Sequence, residues 1–142
     1  MAKVALVTGA SRGIGRATAE AFARAGYQVA ANYCRSKEQI EQFSAQMERE
    51  GCAVIPVQAD VSDPEQVERM VQTVQRQFGH IDVLVCNAGI ARQGLLTDFS
   101  PADWRQMMSV NLDGTFYCCR SVLPGMIRRQ SGCIITTSSI WG

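Results

Sequence analysis

The stretch Val4-Ala-Leu-Val-Thr-Gly-Ala-Ser-Arg-Gly-Ile-Gly15 joins a short apolar run to three glycines spaced G-x-x-x-G-x-G. The run Val4–Val7 predicts a buried strand, and the spacing of Ile14, Ala17 and Phe22 predicts a helix directly after the glycines. In such a turn, backbone N–H groups and the positive end of the helix face a pyrophosphate, and glycine lets the backbone come close to it. The stretch therefore predicts a dinucleotide-binding unit built on Gly9, Gly13 and Gly15.

Four further short apolar runs follow along the chain, at residues 29–31, 53–57, 83–85 and 133–135. They are short and mostly β-branched, as is typical of parallel strands that helices cover on both faces. Because helical patterns alternate with them, the sequence predicts an α/β fold. We expect a doubly wound, Rossmann-type parallel sheet of five strands.

The helices between these strands carry recognisable start and stop signals. Asp63-Pro64 and Ser100-Pro101 are typical of a capping residue followed by proline at the first helical position. The last long helix is predicted to start near Val110 and to end before Ser131-Gly132, whose glycine suits a helix stop. The clearest helical pattern is formed by Val67, Met70, Val71, Val74 and Phe78.

The composition limits the classes of function. With 14 Lys and Arg against 13 Asp and Glu, the near-zero net charge argues against a nucleic-acid partner. No stretch of about 18 apolar residues is present, so we expect no membrane partner. The single His80 and the six cysteines lack the spacing of a metal site, so none is predicted. We expect one nucleotide-binding domain, residues 1–142, in a cytoplasmic protein.

The end of the second predicted strand bears on the choice of cofactor. Proteins that hold NAD usually place an acid there for the ribose hydroxyls, whereas a 2′-phosphate needs cations. Here the stretch is Asn32-Tyr-Cys-Arg-Ser-Lys37, with no acid before Glu38. Arg12 and Arg35 are the candidate phosphate ligands, which favours NADP(H). The alternative that both are solvated loop arginines remains open.

Five motifs, in order, resemble those of the short-chain dehydrogenase/reductase family and span the entire chain. They are Thr8-Gly-Ala-Ser-Arg-Gly-Ile-Gly15, Asp60-Val61, Asn87-Ala-Gly89, Val110-Asn111-Leu112 and Ser138-Ser139. Within the family, the chain is most similar to the bacterial 3-oxoacyl-acyl-carrier-protein reductases. The resemblance implies NADPH-dependent reduction of a small carbonyl substrate, held on acyl carrier protein, in a full-length protein that is a homo-tetramer.

The resemblance also implies roles for individual residues. Asp60 and Val61 are expected to contact the adenine, and Ser139 is expected to hold the substrate carbonyl oxygen. Asn111 is expected to position a water in a proton relay. Three alternatives stay open: Asp60 as a helix cap, Asn111 as a helix kink, and Ser138 as the catalytic serine. The remaining expected cofactor contacts are Gly9, Ser11, Arg12, Gly13, Ile14, Gly15, Arg35, Asn87, Ala88 and Gly89.

One expected motif is absent from its usual place. In this family, a tyrosine in a Tyr-x-x-x-Lys motif donates the proton, on the helix after the fifth strand. The chain ends at Gly142, and its one formal match, Tyr33-Cys-Arg-Ser-Lys37, follows the second strand on the adenosine side. We therefore expect the N-terminal part of a reductase. The resemblance implies the first five strands of the family fold in the order 3-2-1-4-5, which leaves the fifth strand at an uncovered sheet edge. The alternative is a short, non-catalytic remnant that binds nucleotide or a partner.

The substrate has a second candidate. The ending Ser138-Ser-Ile-Trp-Gly142 is similar to a branch of the family that reduces the 5-aminopentanone group on elongation factor P. The alternative is that Trp141 simply packs over the substrate mouth, whatever the substrate. For an acidic carrier protein, Arg92 or Arg128-Arg129 are the candidate contacts, although a solvated surface explains them equally well.

Overall fold

The computed structural model describes residues 1–140 and shows one five-stranded sheet. All neighbouring strands are parallel, and the order is β3-β2-β1-β4-β5, as predicted. Observed and predicted strands agree to within two residues at each end. The strands are β1 (Val4–Val7), β2 (Gln28–Tyr33), β3 (Val54–Gln58), β4 (Val83–Cys86) and β5 (Cys133–Thr136).

Five α-helices connect or follow the strands, and none of the described helices is long and apolar enough to cross a membrane. A short 3₁₀ turn, Leu96–Asp98, precedes the fourth helix, and a π-helical turn, Ser109–Asp113, follows it. The helices are α1 (Gly13–Arg24), α2 (Lys37–Arg49), α3 (Pro64–Phe78), α4 (Pro101–Met108) and α5 (Gly114–Arg129).

Both predicted helix caps are present. The Asp63 side chain accepts hydrogen bonds from the N–H groups of Glu65 and Gln66 at the start of α3. The Ser100 hydroxyl accepts from the Asp103 N–H, and the Asp103 carboxylate accepts from the Ser100 N–H, which forms a capping box at α4. These reciprocal bonds satisfy N–H groups that a helix start otherwise leaves without partners.

The last helix ends at Arg129, before Ser131-Gly132 as predicted, but its start and the residue that stops it differ from the prediction. The expected start near Val110 lies inside the π-helical turn, and regular α-helix begins only at Gly114. At the other end, Gln130 rather than a glycine takes the left-handed conformation, with φ of 51°. Gly132 instead packs closely, since a Cβ there would lie 2.5 Å from the Met126 side chain. Tertiary packing, not backbone freedom, thus accounts for this glycine.

Two apolar layers enclose the sheet. Val67 and Met70 of α3 and Cys118 of α5 pack against one face. Ala19 of α1 and Phe43 of α2 pack against the other. This is the doubly wound arrangement, and it places the loops that follow the strands together at the carboxyl edge of the sheet.

The fifth strand is less well covered than the other four. It pairs with β4 on one side only, and Ile135 is 44% exposed. Cys133 on the same strand is also exposed, whereas β1 and β4 are buried throughout. The expected uncovered edge is therefore present in the fold.

Candidate cofactor groove

A groove of about 600 Å³ lies at the carboxyl edge of the sheet. Loops after β1, β2, β3 and β4 contribute to it, together with the π-helical turn. The groove is at the position where doubly wound sheets bind their ligands. Ten of the twelve predicted cofactor residues line it: Gly9, Ser11, Arg12, Gly13, Arg35, Asp60, Val61, Asn87, Ala88 and Gly89.

The three glycines of the loop after β1 have different physical roles. A Cβ on Gly9 would lie 2.8 Å from the Ala88 Cα, and a Cβ on Gly15 would lie 2.1 Å from the Gly9 carbonyl oxygen. Both glycines are therefore needed for close packing of loops. Gly13 has a φ of +59° and open space around it, so its backbone is exposed to the groove. Gly15 supports the groove from below and does not line it.

Asn32 holds the glycine loop in place, a role that sequence reasoning missed. It is 2% exposed, and its Oδ1 accepts a hydrogen bond from the Gly9 N–H at 3.1 Å. Its Nδ2 donates to the carbonyls of Val57 and Ala59, both at 3.2 Å. Because its N–H is used in this way, Gly9 contributes to the groove by its shape and not as a hydrogen-bond donor.

Thr8 joins the loops after β1 and β4. Its hydroxyl accepts from the N–H groups of Asn87 and Ala88, each at 3.0 Å. In return, Asn87 Nδ2 donates to the carbonyls of Thr8 and Gly9 at 3.3 and 3.2 Å. Thr8 is 2% exposed, so these bonds are shielded from water. Asn87 and Ala88, two of the expected cofactor contacts, are thus held beside the glycine loop.

Both candidate phosphate ligands, Arg12 and Arg35, line the groove. They are exposed, and neither forms an ion pair with a carboxylate within the described part of the chain. Tyr33, Cys34 and Ser36 also line this part, and none of them is acidic. This end of the groove therefore offers two positive charges that no carboxylate among the described residues pairs.

Asp60 and Val61 line the groove after β3. The Asp60 carboxylate accepts from the N–H and the hydroxyl of Ser62 at 2.9 and 2.7 Å. Asp63, and not Asp60, caps α3, so the helix-cap alternative for Asp60 is wrong. Val61 is 6% exposed and lies against Gly114, where a Cβ would be 2.8 Å from the Val61 Cγ2.

Asn111 lies in the π-helical turn between α4 and α5. Its Oδ1 accepts from the Ile90 N–H and its Nδ2 donates to the Ile90 carbonyl, both at 2.8 Å. Its carboxamide thereby fastens the loop after β4, which lines the groove. Single π turns in helices often occur at functional sites.

Two further predicted site residues lie away from the groove lining. The Ile14 side chain is 69% exposed and borders a second cavity on the outer face of α1, beside Ala21 and Phe22. Ser139 follows β5 and is exposed. The segment before it runs next to the groove, because the Thr137 hydroxyl donates to Asn87 Oδ1 at 3.4 Å.

The formal Tyr-x-x-x-Lys match is far from Ser139. Tyr33 ends β2 and Ser139 follows β5, with β1 and β4 between those strands. Three strand spacings separate them, which is about 14 Å. This distance excludes Tyr33 and Lys37 as partners of a substrate carbonyl at Ser139. Trp141, expected over the substrate mouth, lies outside the described residues.

The candidate carrier-protein contacts are partly used within the chain. Arg92 pairs with Asp103, and Arg129 donates to the Ile81 carbonyl at 2.6 Å. Arg128 is exposed.

The two buried thiols near the groove, Cys86 and Cys118, are poor nucleophiles. Burial raises the pKa of Cys118 to about 12. Burial, reinforced by the neighbouring thiols, also raises the pKa of Cys86 well above its usual value. Both therefore remain protonated thiols, which neither attack substrates nor ligate metals. Residues 1–140 contain no group of three or more His, Cys, Asp or Glu side chains arranged to hold a metal ion.

Comparison with known proteins connects this groove to one family. Residues 3–142 match the family model for short chain dehydrogenase. The chain is 45% identical over its whole length to 3-oxoacyl-acyl-carrier-protein reductase FabG of Staphylococcus aureus strain Mu50, of which it covers 58%. It is 43% identical, over 99% of its length, to the corresponding reductase of Synechocystis, of which it covers 57%. The chain thus spans little more than half of these relatives.

A solved structure shares the fold. Gluconate 5-dehydrogenase from Burkholderia cenocepacia, in complex with NADP and tartrate, superposes with a TM-score of 0.86 at 38% sequence identity. The match covers 94% of this chain and 52% of that protein.

Proposed function

The chain belongs to the short-chain dehydrogenase family, and on that premise we propose that it is the NADP(H)-binding domain, residues 1–142, of a reductase that converts a carbonyl group to an alcohol. The proposed substrate is a 3-oxoacyl thioester on acyl carrier protein, which is what the names of the two bacterial relatives state for those proteins. The observation that carries the proposal is the groove, lined by both the glycine loop and two arginines.

The groove suits a dinucleotide. Its volume of about 600 Å³ is in the range of small-molecule sites. Helix α1 starts at Gly13, has no acidic residue in its first turn and therefore presents an uncompensated positive end. The open backbone at Gly13 leaves room for a pyrophosphate at that end.

The charges around the groove favour a 2′-phosphate. Arg12 and Arg35 line it, and the end of β2 supplies no acid that could bind ribose hydroxyls instead. A guanidinium can make two parallel hydrogen bonds to a phosphate, which is the stronger class of contact. NADP(H) is therefore the proposed cofactor, and NADP is the nucleotide bound in the Burkholderia structure.

The remaining chemistry is assigned as follows. When bound, NADPH supplies a hydride to the substrate carbonyl. Ser139 is proposed to donate a hydrogen bond to the carbonyl oxygen, which gains negative charge as the alcohol forms. Asn111 keeps the loop at Ile90 in place. The tyrosine and lysine that deliver the proton are proposed to lie in the part of the full-length protein that this chain does not span.

The full-length protein is proposed to form a homo-tetramer. Exposed apolar side chains on α4, the π-helical turn and α5 support self-association. They are Trp104, Leu112, Phe116, Leu123 and Ile127.

Calorimetric titration of the chain with NADPH, and separately with NADH, tests the cofactor assignment. We expect NADPH to bind more tightly. Arg35→Ala should weaken NADPH binding by about tenfold or more, the usual loss for a hydrogen bond to a charged group, and leave NADH binding nearly unchanged. Arg49→Ala is the matched control, because it removes an exposed positive charge at the far end of α2.

Equal affinity for the two cofactors would contradict the assignment of the arginines. Failure of the folded chain to bind either cofactor would reject the proposed function. If Arg49→Ala weakens NADPH binding as much as Arg35→Ala, the effect comes from general charge and not from the groove.

A further inference from the structure

We propose that Asn32 is a positioning residue for the cofactor, whose buried carboxamide fixes the glycine loop so that the next N–H groups face the pyrophosphate. The inference rests on the proposed function, because it concerns the same groove. It adds a residue that has neither the charge nor the motif position of the expected cofactor contacts.

The contacts of Asn32 join two loops of the groove. Its Oδ1 accepts from the Gly9 N–H at 3.1 Å, and its main-chain carbonyl accepts from the Ala10 N–H at 2.8 Å. Its Nδ2 donates to the carbonyls of Val57 and Ala59 at the end of β3, both at 3.2 Å. One residue on β2 therefore holds the loop after β1 against the loop after β3.

These bonds determine which N–H groups of the loop remain free. Those of Gly9 and Ala10 are used by Asn32, whereas those of Ser11 and Arg12 donate to no acceptor among the described residues. Ser11, Arg12 and Gly13 all line the groove. Free N–H groups at the start of a helix bind phosphate oxygens. Without the anchor at Gly9, the loop could rotate these donors away from the groove.

The chemistry of the site requires an amide at this position. The Nδ2 group lies 3.2 Å from two carbonyl oxygens, so it must carry hydrogens. A carboxylate there would face those oxygens without a hydrogen between them and would be buried, which is costly. An acid for ribose hydroxyls therefore cannot stand at residue 32 in this arrangement, in agreement with a groove for a 2′-phosphate.

Two probes separate positioning from simple stability. NADPH contains the pyrophosphate, whereas adenosine 2′-monophosphate contains the 2′-phosphate and no pyrophosphate. Asn32→Ala should weaken NADPH binding by about tenfold or more and adenosine 2′-monophosphate binding by less than about threefold. The variant loses the N–H groups positioned for the pyrophosphate, whereas the arginine contacts to the 2′-phosphate remain.

Ser44→Ala is the matched control. The Ser44 hydroxyl donates to the Val54 carbonyl at 2.7 Å, at the start of β3. This contact lies at the amino ends of the strands, whereas the groove lies at their carboxyl ends. Its removal should lower the Tm and leave the affinities for both probes unchanged. A purely structural role for Asn32 would lower the two affinities by the same factor, or would lower only the Tm as Ser44→Ala does, and either result would overturn the inference.

The outcomes are distinguishable. If the wild-type chain binds NADPH and the folded Asn32→Ala variant binds it equally well, the inference fails and the proposed function stands. If the wild-type chain binds neither probe, the proposed function fails and the inference fails with it. Should Asn32→Ala not fold, Asn32→Ser gives the same comparison. Serine leaves a smaller cavity than alanine, but its side chain is too short to reach the Gly9 N–H.

Discussion

Gly15 has almost no space for a side chain, and this determines what a single methyl group would do to the groove. An added Cβ would lie 2.1 Å from the Gly9 carbonyl oxygen and 2.5 Å from Asn87 Nδ2. Gly15→Ala should therefore push the glycine loop away from the loop after β4. We expect a loss of about 1–3 kcal/mol in unfolding free energy. NADPH affinity should fall as well, and calorimetry and urea unfolding measure the two effects.

Gly125→Ala is the control for this substitution. Gly125 lies inside α5, and the nearest atom to an added Cβ, an Arg129 nitrogen, would be 3.4 Å away. Alanine favours a helix interior by about 1 kcal/mol over glycine, so this variant should be as stable as the wild type or more so. An equally stable Gly15→Ala variant with unchanged NADPH binding would show that the loop adapts to the methyl group.

At the residue scale, the sequence identified the groove residues that have distinctive chemistry or a motif position. Gly9, Gly13, Arg12 and Arg35 all line the groove. It did not identify Asn32 and Thr8, because a buried amide and a buried hydroxyl have no periodicity or spacing that marks them. Their partners lie far away in sequence, such as Val57 and Asn87.

Helix α3 offers a test at the scale of a single element. The side chain and the N–H group of Gln66 donate hydrogen bonds to the Asp63 carboxylate, and so does the N–H group of Glu65. These bonds hold the pKa of the Asp63 carboxyl below the ordinary value of 3.8. The resulting stability is fully present above pH 3.8 and is lost as the pH falls through the lowered pKa. Asparagine at this position would be an equally good cap but does not titrate. Below pH 3.8, the Tm of the wild type should therefore fall relative to that of Asp63→Asn.

Thermal unfolding of both proteins between about pH 2 and pH 6 measures this shift. Other carboxylates titrate in both proteins alike, so the difference isolates the cap. A Tm difference that stays constant over the whole range would contradict the role of the Asp63 charge.

The start of α5 shows why element boundaries were harder to predict than the elements. The apolar pattern near Val110 indicated helix, and the backbone there is helical. Its hydrogen bonds are of the π type, and in this region Asn111 bonds to Ile90 and Gly114 packs on Val61. Both contacts are tertiary, and a local pattern does not contain them.

At the scale of the whole molecule, two apolar surfaces lie on the same side of the sheet. Ile135 of β5 is 44% exposed, and the cavity beside α1 is lined by apolar residues such as Ala21 and Phe22. An unpaired edge strand with exposed apolar side chains favours association with another chain.

The 142-residue chain should therefore self-associate as its concentration rises, and Ile135→Lys should reduce this association. A lysine on an edge strand opposes pairing by its charge. Sedimentation velocity over a range of concentrations measures the effect. Leu96→Lys is the control, because Leu96 is 83% exposed but lies in a 3₁₀ turn outside the sheet. If both variants associate less than the wild type by the same amount, the added charge and not its place on the β5 edge is responsible.

The order of the strands was predicted from the resemblance to the family, whereas the sequence patterns by themselves determined the fold class and the place of the groove. Those features depend on local information: short apolar runs, helical spacing, capping residues and a glycine loop between a strand and a helix. The tertiary structure decided which N–H groups of that loop remain free, where α5 begins and which arginines are left without a carboxylate partner. Each of these depends on contacts between residues distant in sequence, such as Gly9 with Asn32 and Ile90 with Asn111, which form only when the sheet has assembled.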